Sequence, residues 1–207
     1  MNETESRLLD CALTLFAQKG YEATSVREII EATGVTRPVL YYYCENKASL
    51  FKRLIAWKHD EANAELQRIL QQQLTCEGRL RAIVRGSFAF CAQDPRVPRL
   101  MFQTAFGPMI ADLAEFLLER SRDRFLIVLQ IIHAGLTEGE LHGGDPTALA
   151  LAFCSLMDHH INILSRFDDV AVRLTPELAD ALVDLFLHGC GTPASAPLRF
   201  PPSVAVA

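Results

Sequence analysis

The stretch from Gly20 to Leu50, GYEATSVREIIEATGVTRPVLYYYCENKASL, constrains the fold of this chain more tightly than any other. Ser25 and Glu28 stand three residues apart, the spacing of a capping box, in which each side chain satisfies a backbone N–H at a helix start. The helix that follows carries Val26, Ile29, Ile30 and Ala32 on one side. Gly34 ends it, because glycine enters the left-handed conformation at little steric cost. Thr36 is then expected to cap a second helix, with Pro38 in the first turn, where a missing N–H does no harm.

Two short helices joined by a glycine turn are a helix-turn-helix, whose second helix enters the DNA major groove N-terminus first. That arrangement puts Thr36, Arg37, Pro38 and Val39 nearest the base edges. Tyr41, Tyr42 and Tyr43 follow, and three consecutive helical residues point about 100° apart. By analogy with the spacing, Tyr41 packs inward while Tyr42 and Tyr43 offer their hydroxyls to the phosphate backbone.

Residues 7–51 resemble the DNA-binding domain of the tetracycline-repressor (TetR-like) family of bacterial transcription regulators. The likeness is carried by Ala12 and Phe16, the Gly20-Tyr21 helix stop, the run from Thr24 to Ile29, Gly34-Val35-Thr36, the run from Leu40 to Tyr43, and Asn46, Lys47 and Leu50. It covers the first quarter of the chain; the remainder matches only in being all-helical and of suitable length. The resemblance implies phosphate contacts from Ser25, Arg27, Tyr43 and Lys47, operator reading by Thr36 to Val39 with Tyr42, and a place for Val26 in the same DNA-facing set. Cys44 departs from the pattern, standing where the family usually has a bulky aromatic, and Ile30 replaces a commonly small residue.

Half of the 207 residues are hydrophobic, enough for one sizeable core and a small satellite domain. The net charge of −5 is unusual for a DNA binder, since phosphate neutralisation supplies much of the affinity. Residues 1–59 carry eight Lys and Arg against seven Asp and Glu, net +1, and residues 60–207 carry twelve against eighteen, net −6. The acidity therefore belongs mainly to the distal part. Cysteines 11, 44, 76, 91, 154 and 190 show no C-x-x-C spacing and are expected to be reduced, buried, small hydrophobes of a cytoplasmic protein. The acidic N-terminus does not have the pattern of a secretory signal. The apolar stretches 125–136 and 147–164 are too short or are interrupted by Asp158, His159 and His160, which argues against a membrane span.

Punctuation along the chain predicts an all-α fold: an N-terminal three-helix domain containing the helix-turn-helix (residues 1–52), joined by a long helix to a C-terminal helical domain for ligand binding and dimerisation (53–190). Asn46 caps the long helix, which runs to about Leu74. Further helices are expected from Glu77 to Ala92, Val97 to Phe106, Met109 to Ala134, Pro146 to Arg166 and Pro176 to His188. Residues 191–207, rich in proline and without periodicity, form an extended or disordered tail.

The helix from Pro146 is apolar nearly all round, and such a helix needs burial on more than one side. With the helix from Pro176 it makes a four-helix bundle with a two-fold mate through Leu149, Phe153, Leu156, Leu164, Leu178, Leu182, Leu185 and Phe186; otherwise both helices complete a monomeric core. Aromatic and methionine residues of the middle helices, Phe88, Met101, Phe102, Phe106, Phe125, Phe153 and Met157, form either ordinary core or the lining of an effector cavity, the second being what the resemblance implies, with Gln103, Asp158, His159, His160 or Asn162 as polar anchors and Gln103 and His160 taken as the candidates.

No nucleophile elbow, phosphate loop or zinc-finger spacing is present, and Asp184 with His188 is too small a set for a metal. The expected function is a dimeric, sequence-specific DNA-binding regulator, a repressor that a small molecule releases from a palindromic operator, without cofactor, metal or membrane partner. A helical protein-interaction module and a small helical enzyme are the alternatives.

Overall fold

The computed structural model describes residues 2–107, 110–167 and 169–189. The proline-rich tail and Cys190 lie outside the described residues, as do Pro108 and Met109. Among the described residues ten α-helices follow one another: α1 (Glu3–Ala23), α2 (Val26–Thr33), α3 (Arg37–Tyr43), α4 (Lys47–Leu70), α5 (Cys76–Gln93), α6 (Arg96–Phe106), α7 (Ala114–Thr137), α8 (Pro146–Leu164), α9 (Val170–Arg173) and α10 (Pro176–His188). No strand occurs among the described residues.

The caps explain most boundaries. Asn46 Oδ1 accepts from the Ser49 amide at 2.8 Å, and Ser49 Oγ accepts from the Asn46 amide at 3.0 Å, a reciprocal cap for α4. Asp145 and Thr175 accept from the third residue onward at the starts of α8 and α10, and both helices begin with proline in the first turn. Three expectations need correction. α4 ends at Leu70, four residues early. The helix expected from Met109 begins at Ala114, after extended Ile110 and a single 3₁₀ turn over Ala111–Leu113. α9 was not foreseen, because four residues leave no apolar period to detect.

The chain divides into two compact units, residues 1–62 with 94–120, and residues 63–93 with 121–207. Both α4 and α7 are shared between them. The expected head of residues 1–52 lies within the first unit, which also takes in α6. The chain passes between the two units three times.

In the first unit, Leu8, Leu9, Leu13 and Phe16 of α1 are buried with Leu40, Leu50, Phe51 and Leu54. Gly20 breaks the regularity of α1 at φ 81°, turning Tyr21 so that its ring lies edge-on to Phe51 at 5.0 Å, while Phe51 lies edge-on to Phe16 at 5.0 Å. α6 packs along α1: the Arg96 guanidinium reaches Thr14 Oγ1 and Asp10, both at 2.7 Å, and Val97 and Leu100 are buried.

In the second unit α5, α8 and α10 close a core containing Leu80, Phe88, Phe153, Met157, Ile161, Leu182 and Val183. Arg81 and Arg85 of α5 bind Asp184 and Asp180 of α10. Gly135 lets α5 approach α7, since a Cβ there would meet Cys76 Sγ at 2.6 Å. Burial raises the thiols of Cys91 to about 12 and of Cys76 and Cys154 to about 11, so these cysteines are unreactive packing groups at neutral pH. By length and a mean hydropathy of 1.2, α8 is long and apolar enough to cross a membrane, which corrects the sequence argument against a span on that count. Its Asp158 is neutralised within the unit by Arg124 of α7 at 2.5 Å.

Candidate nucleic-acid interface

The capping box at α2 forms as the sequence predicts. The Ser25 amide donates to Glu28 Oε2 at 2.8 Å and the Glu28 amide to Ser25 Oγ at 3.2 Å. Lys19 Nζ adds an ion pair to Glu28 at 2.5 Å. The hydrogen bond from Lys19, then those from Ser25, lower the Glu28 carboxyl from 4.5 to about 2. A carboxyl lowered on folding contributes stability that is complete above its unfolded value and is lost as pH falls through its folded one. The contribution of this cap is accordingly expected to persist at pH 5 and to fade between about 4.5 and 2. Acid unfolding of Glu28→Gln beside the native chain checks this; superimposable pH profiles would exclude it.

Gly34, at φ 68°, makes the turn into α3. Thr36 holds the N-cap position with extended backbone and is exposed, but its side chain makes no cap hydrogen bond, which corrects the expected cap. Leu40 is the one fully buried residue of α3, and Cys44 after it is 6% exposed with its thiol on the Leu40 carbonyl. This inward ridge orients everything else. Thr36, Arg37, Pro38 and Val39 are all exposed, and Tyr42 is 82% exposed. Tyr41 was expected to pack inward and instead is 46% exposed, because Leu40 occupies the inward position and the next residue turns about 100° away from it.

Ser25 and Arg27 are exposed on α2, with Arg27 bound to Glu31 at 2.7 Å, while Val26 is half-buried. Tyr43 and Lys47 are less free than expected. The Tyr43 hydroxyl donates to Asn2 Oδ1 at 3.1 Å, and Asn2 also accepts from the Glu5 amide as the N-cap of α1. Lys47 Nζ donates to the carbonyls of Tyr21 at 2.9 Å and Glu22 at 3.3 Å and lies over the Tyr21 ring. A lysine there is favourable to the exposed carbonyls at the end of α1. Sequence reasoning missed Asn2 and Arg53. The Asn2 to Glu5 spacing is a readable cap signal; Arg53, which joins Glu5 to the Tyr43 carbonyl, has none.

The residues suggested for an effector cavity fall in different units. Met101, Phe102, Gln103 and Phe106 belong to the first, where Gln103 donates to the Ala17 carbonyl at 3.2 Å and Phe106 is 68% exposed and stacked on Phe102. Phe88, Phe125, Phe153, Met157 and His160 belong to the second; His160 is engaged with the Leu156 carbonyl of its own helix. A shallow cleft of about 330 Å³ is lined by Leu126, Leu129, Gln130, His133, Pro146 and Thr147, none of them foreseen.

Among the suggested dimer residues, Phe153 and Leu182 require correction. At 2% and 5% exposure they fill the chain's own core, Phe153 edge-on to Phe186 at 5.2 Å. Leu149, Leu156, Leu164, Leu178 and Phe186 are half-buried, and Leu185 is 41% exposed. The large apolar residues left uncovered on α8 are Leu151 and Ile163. Asp184 is engaged by Arg81, and no group of three or more His, Cys, Asp or Glu side chains stands together as a metal site among the described residues.

Residues 8–54 match the family model described as bacterial regulatory proteins, tetR family. The chain is 43% identical over 61 residues to the HTH-type transcriptional regulator AcrR of Shigella flexneri, covering 30% of this chain and only 27% of AcrR. It is 27% identical over 150 residues to the HTH-type transcriptional repressor KstR2 of Rhodococcus jostii, 72% of each. Its fold is similar to that of the transcriptional regulator FadR from Bacillus subtilis in complex with stearoyl-CoA, with TM-score 0.76 at 19% identity over 90% of this chain and 99% of that one.

Proposed function

We propose that this chain, whose residues 8–54 match the family model of the tetR bacterial regulatory proteins, is a dimeric transcription regulator that binds a palindromic operator and leaves it when a small molecule occupies the second unit. The observation that carries the reading is the outward face of α3. Thr36 to Val39 and Tyr42 are all solvent-exposed on a helix held to its own unit by Leu40, as a groove-reading helix requires. The exposed Leu151, Ile163 and Leu185 of α8 and α10 supply an isologous interface, so that two copies present two reading helices. Heads must sit about 34–36 Å apart to enter successive major grooves. An effector that favours another spacing by a few kcal/mol is enough to release DNA. FadR bound to stearoyl-CoA supports the small-molecule part of this reading.

Arg37 is exposed at the start of α3 and long enough to donate two hydrogen bonds to a guanine edge. In gel shifts on the DNA upstream of its own reading frame, Arg37→Ala is expected to relax preference at one position per half-site, at a cost of about 1–3 kcal/mol. Lys47→Ala is expected to weaken every sequence alike, and to lower thermal stability as well because it releases the carbonyls of Tyr21 and Glu22. Equal losses on all operator variants with Arg37→Ala would remove the base-reading role. No shift by the native chain on any upstream fragment would favour the interaction-module reading instead.

A further inference from the structure

α3 is seven residues long and has one fully buried residue, Leu40. A helix that short has little stability of its own, and a single apolar pivot leaves its direction unfixed. Tyr43 supplies a second hold near the C-terminal end, through both of its polar ends. Arg53 of α4 donates from Nη1 to the Tyr43 carbonyl at 3.2 Å and from Nε to Glu5 Oε1 at 2.7 Å, and Glu5 is buried on α1. The Tyr43 hydroxyl meets Asn2 Oδ1 at 3.1 Å, and the Glu5 amide meets the same oxygen at 2.9 Å. A backbone N–H only donates, so the Asn2 atom between them is the amide oxygen, and the phenol must donate to it. Both holds therefore trace to the start of α1. A phenol carries one hydrogen, and DNA phosphates only accept. While Asn2 takes that hydrogen, Tyr43 has none to give to the DNA backbone.

We propose that Asn2 is a positioning residue for operator binding, which holds the Tyr43 hydroxyl so that Tyr43 fixes the direction of α3 instead of contacting a phosphate. This role rests on the DNA-binding reading above and goes beyond it, since the resemblance assigns nothing to Asn2 and gives Tyr43 the opposite task. The Tyr43 ring stands edge-on to that of Tyr42 at 5.1 Å, and Tyr42 is exposed on the reading face. A swing of Tyr43 is therefore passed directly to a reading residue. Hydrogen bonds to base edges form only over donor–acceptor distances of about 2.7–3.2 Å, so a small change in the direction of α3 weakens them on every sequence alike.

Gel shifts on the DNA upstream of the chain's own reading frame test this role, with every protein carrying the same N-terminal tag so that Met1 is kept. Asn2→Ser retains a helix-capping side chain but is one bond too short to reach Tyr43. Tyr43→Phe removes the hydroxyl and leaves Asn2 on the Glu5 amide. Each variant is expected to melt within about 3 °C of the native chain and to bind operator about three- to tenfold more weakly, the worth of one hydrogen bond. The double variant is expected to lose no more than either alone, because both changes remove the same contact. In the DNA-free chain, each is also expected to speed hydrogen exchange at the Cys44 amide, which is bonded to the Leu40 carbonyl at the end of α3. Native operator affinity in Asn2→Ser, with the loss confined to Tyr43→Phe, would show Tyr43 donating to a phosphate and overturn the proposal. Losses that add in the double variant, or unchanged exchange at Cys44, would overturn it as well. If the native chain shifts no upstream fragment, the DNA-binding reading fails and the operator role of Asn2 with it; if it shifts DNA and neither variant differs, that reading stands and the role of Asn2 alone is removed.

Discussion

Leu151→Glu is expected to convert the protein to a monomer and to lower operator affinity by about a hundredfold or more. Leu151 is 50% exposed on α8, so a glutamate there is solvated in the single chain and leaves its fold intact. In the proposed interface the same carboxylate would be buried without a partner, and an unpaired buried charge costs several kcal/mol. Separation removes the advantage of two linked heads on one DNA, worth roughly 10²- to 10⁴-fold in affinity. Sedimentation velocity and far-ultraviolet circular dichroism together check this: the variant should sediment as a monomer with unchanged helicity. A charge at Leu182, 5% exposed in the core, should instead unfold the second unit. If Leu151→Glu sediments as the native chain does, the exposed face of α8 is not the interface.

Phe51→Ala is the second large effect, expected to destabilise the first unit by about 3–5 kcal/mol, the usual cost of truncating a buried aromatic. Phe51 is fully buried, and its ring meets Phe16 and Tyr21 edge-on, each at 5.0 Å. Tyr21 in turn lies under Lys47 and offers it a carbonyl. Removing the Phe51 ring therefore loosens both the core and the junction between α1 and α4, and DNA binding should fall with stability. Urea unfolding followed by helicity gives the magnitude. A loss under about 1 kcal/mol would mean that the cavity collapses and that the ring cluster does not organise the head.

The helix-turn-helix was legible because its signals are local. A capping box, a left-handed glycine and a proline in the first turn act within four residues of one another and barely depend on what surrounds them. The same holds for the starts of α8 and α10, where cap and proline stand side by side. Where local chemistry is silent, expectation and structure part. The four-residue α9 and the turn before α7 have no periodicity to read.

Exposure was the harder quantity. Tyr41 and Leu40 are adjacent and both apolar enough to be buried; only the packing of α3 on its unit decides that Leu40 turns in and Tyr41 out. Phe153 and Leu185 both looked suitable for an interface, and tertiary packing gave one to the core and left the other 41% exposed. Lys47 fits a phosphate-binding pattern in sequence, yet the end of α1, twenty-five residues back along the chain, supplies its partners.

The sequence by itself determined that this chain is helical, where its reading helix begins and which residues open that helix, since these follow from hydrogen bonds and backbone preferences spanning one turn. The tertiary structure alone decided which faces those helices bury, that α6 joins the first unit, and that Arg124 meets Asp158 across thirty-four residues. Contacts between distant segments depend on the competition of all apolar surfaces for the same interior, and no local spacing encodes its outcome.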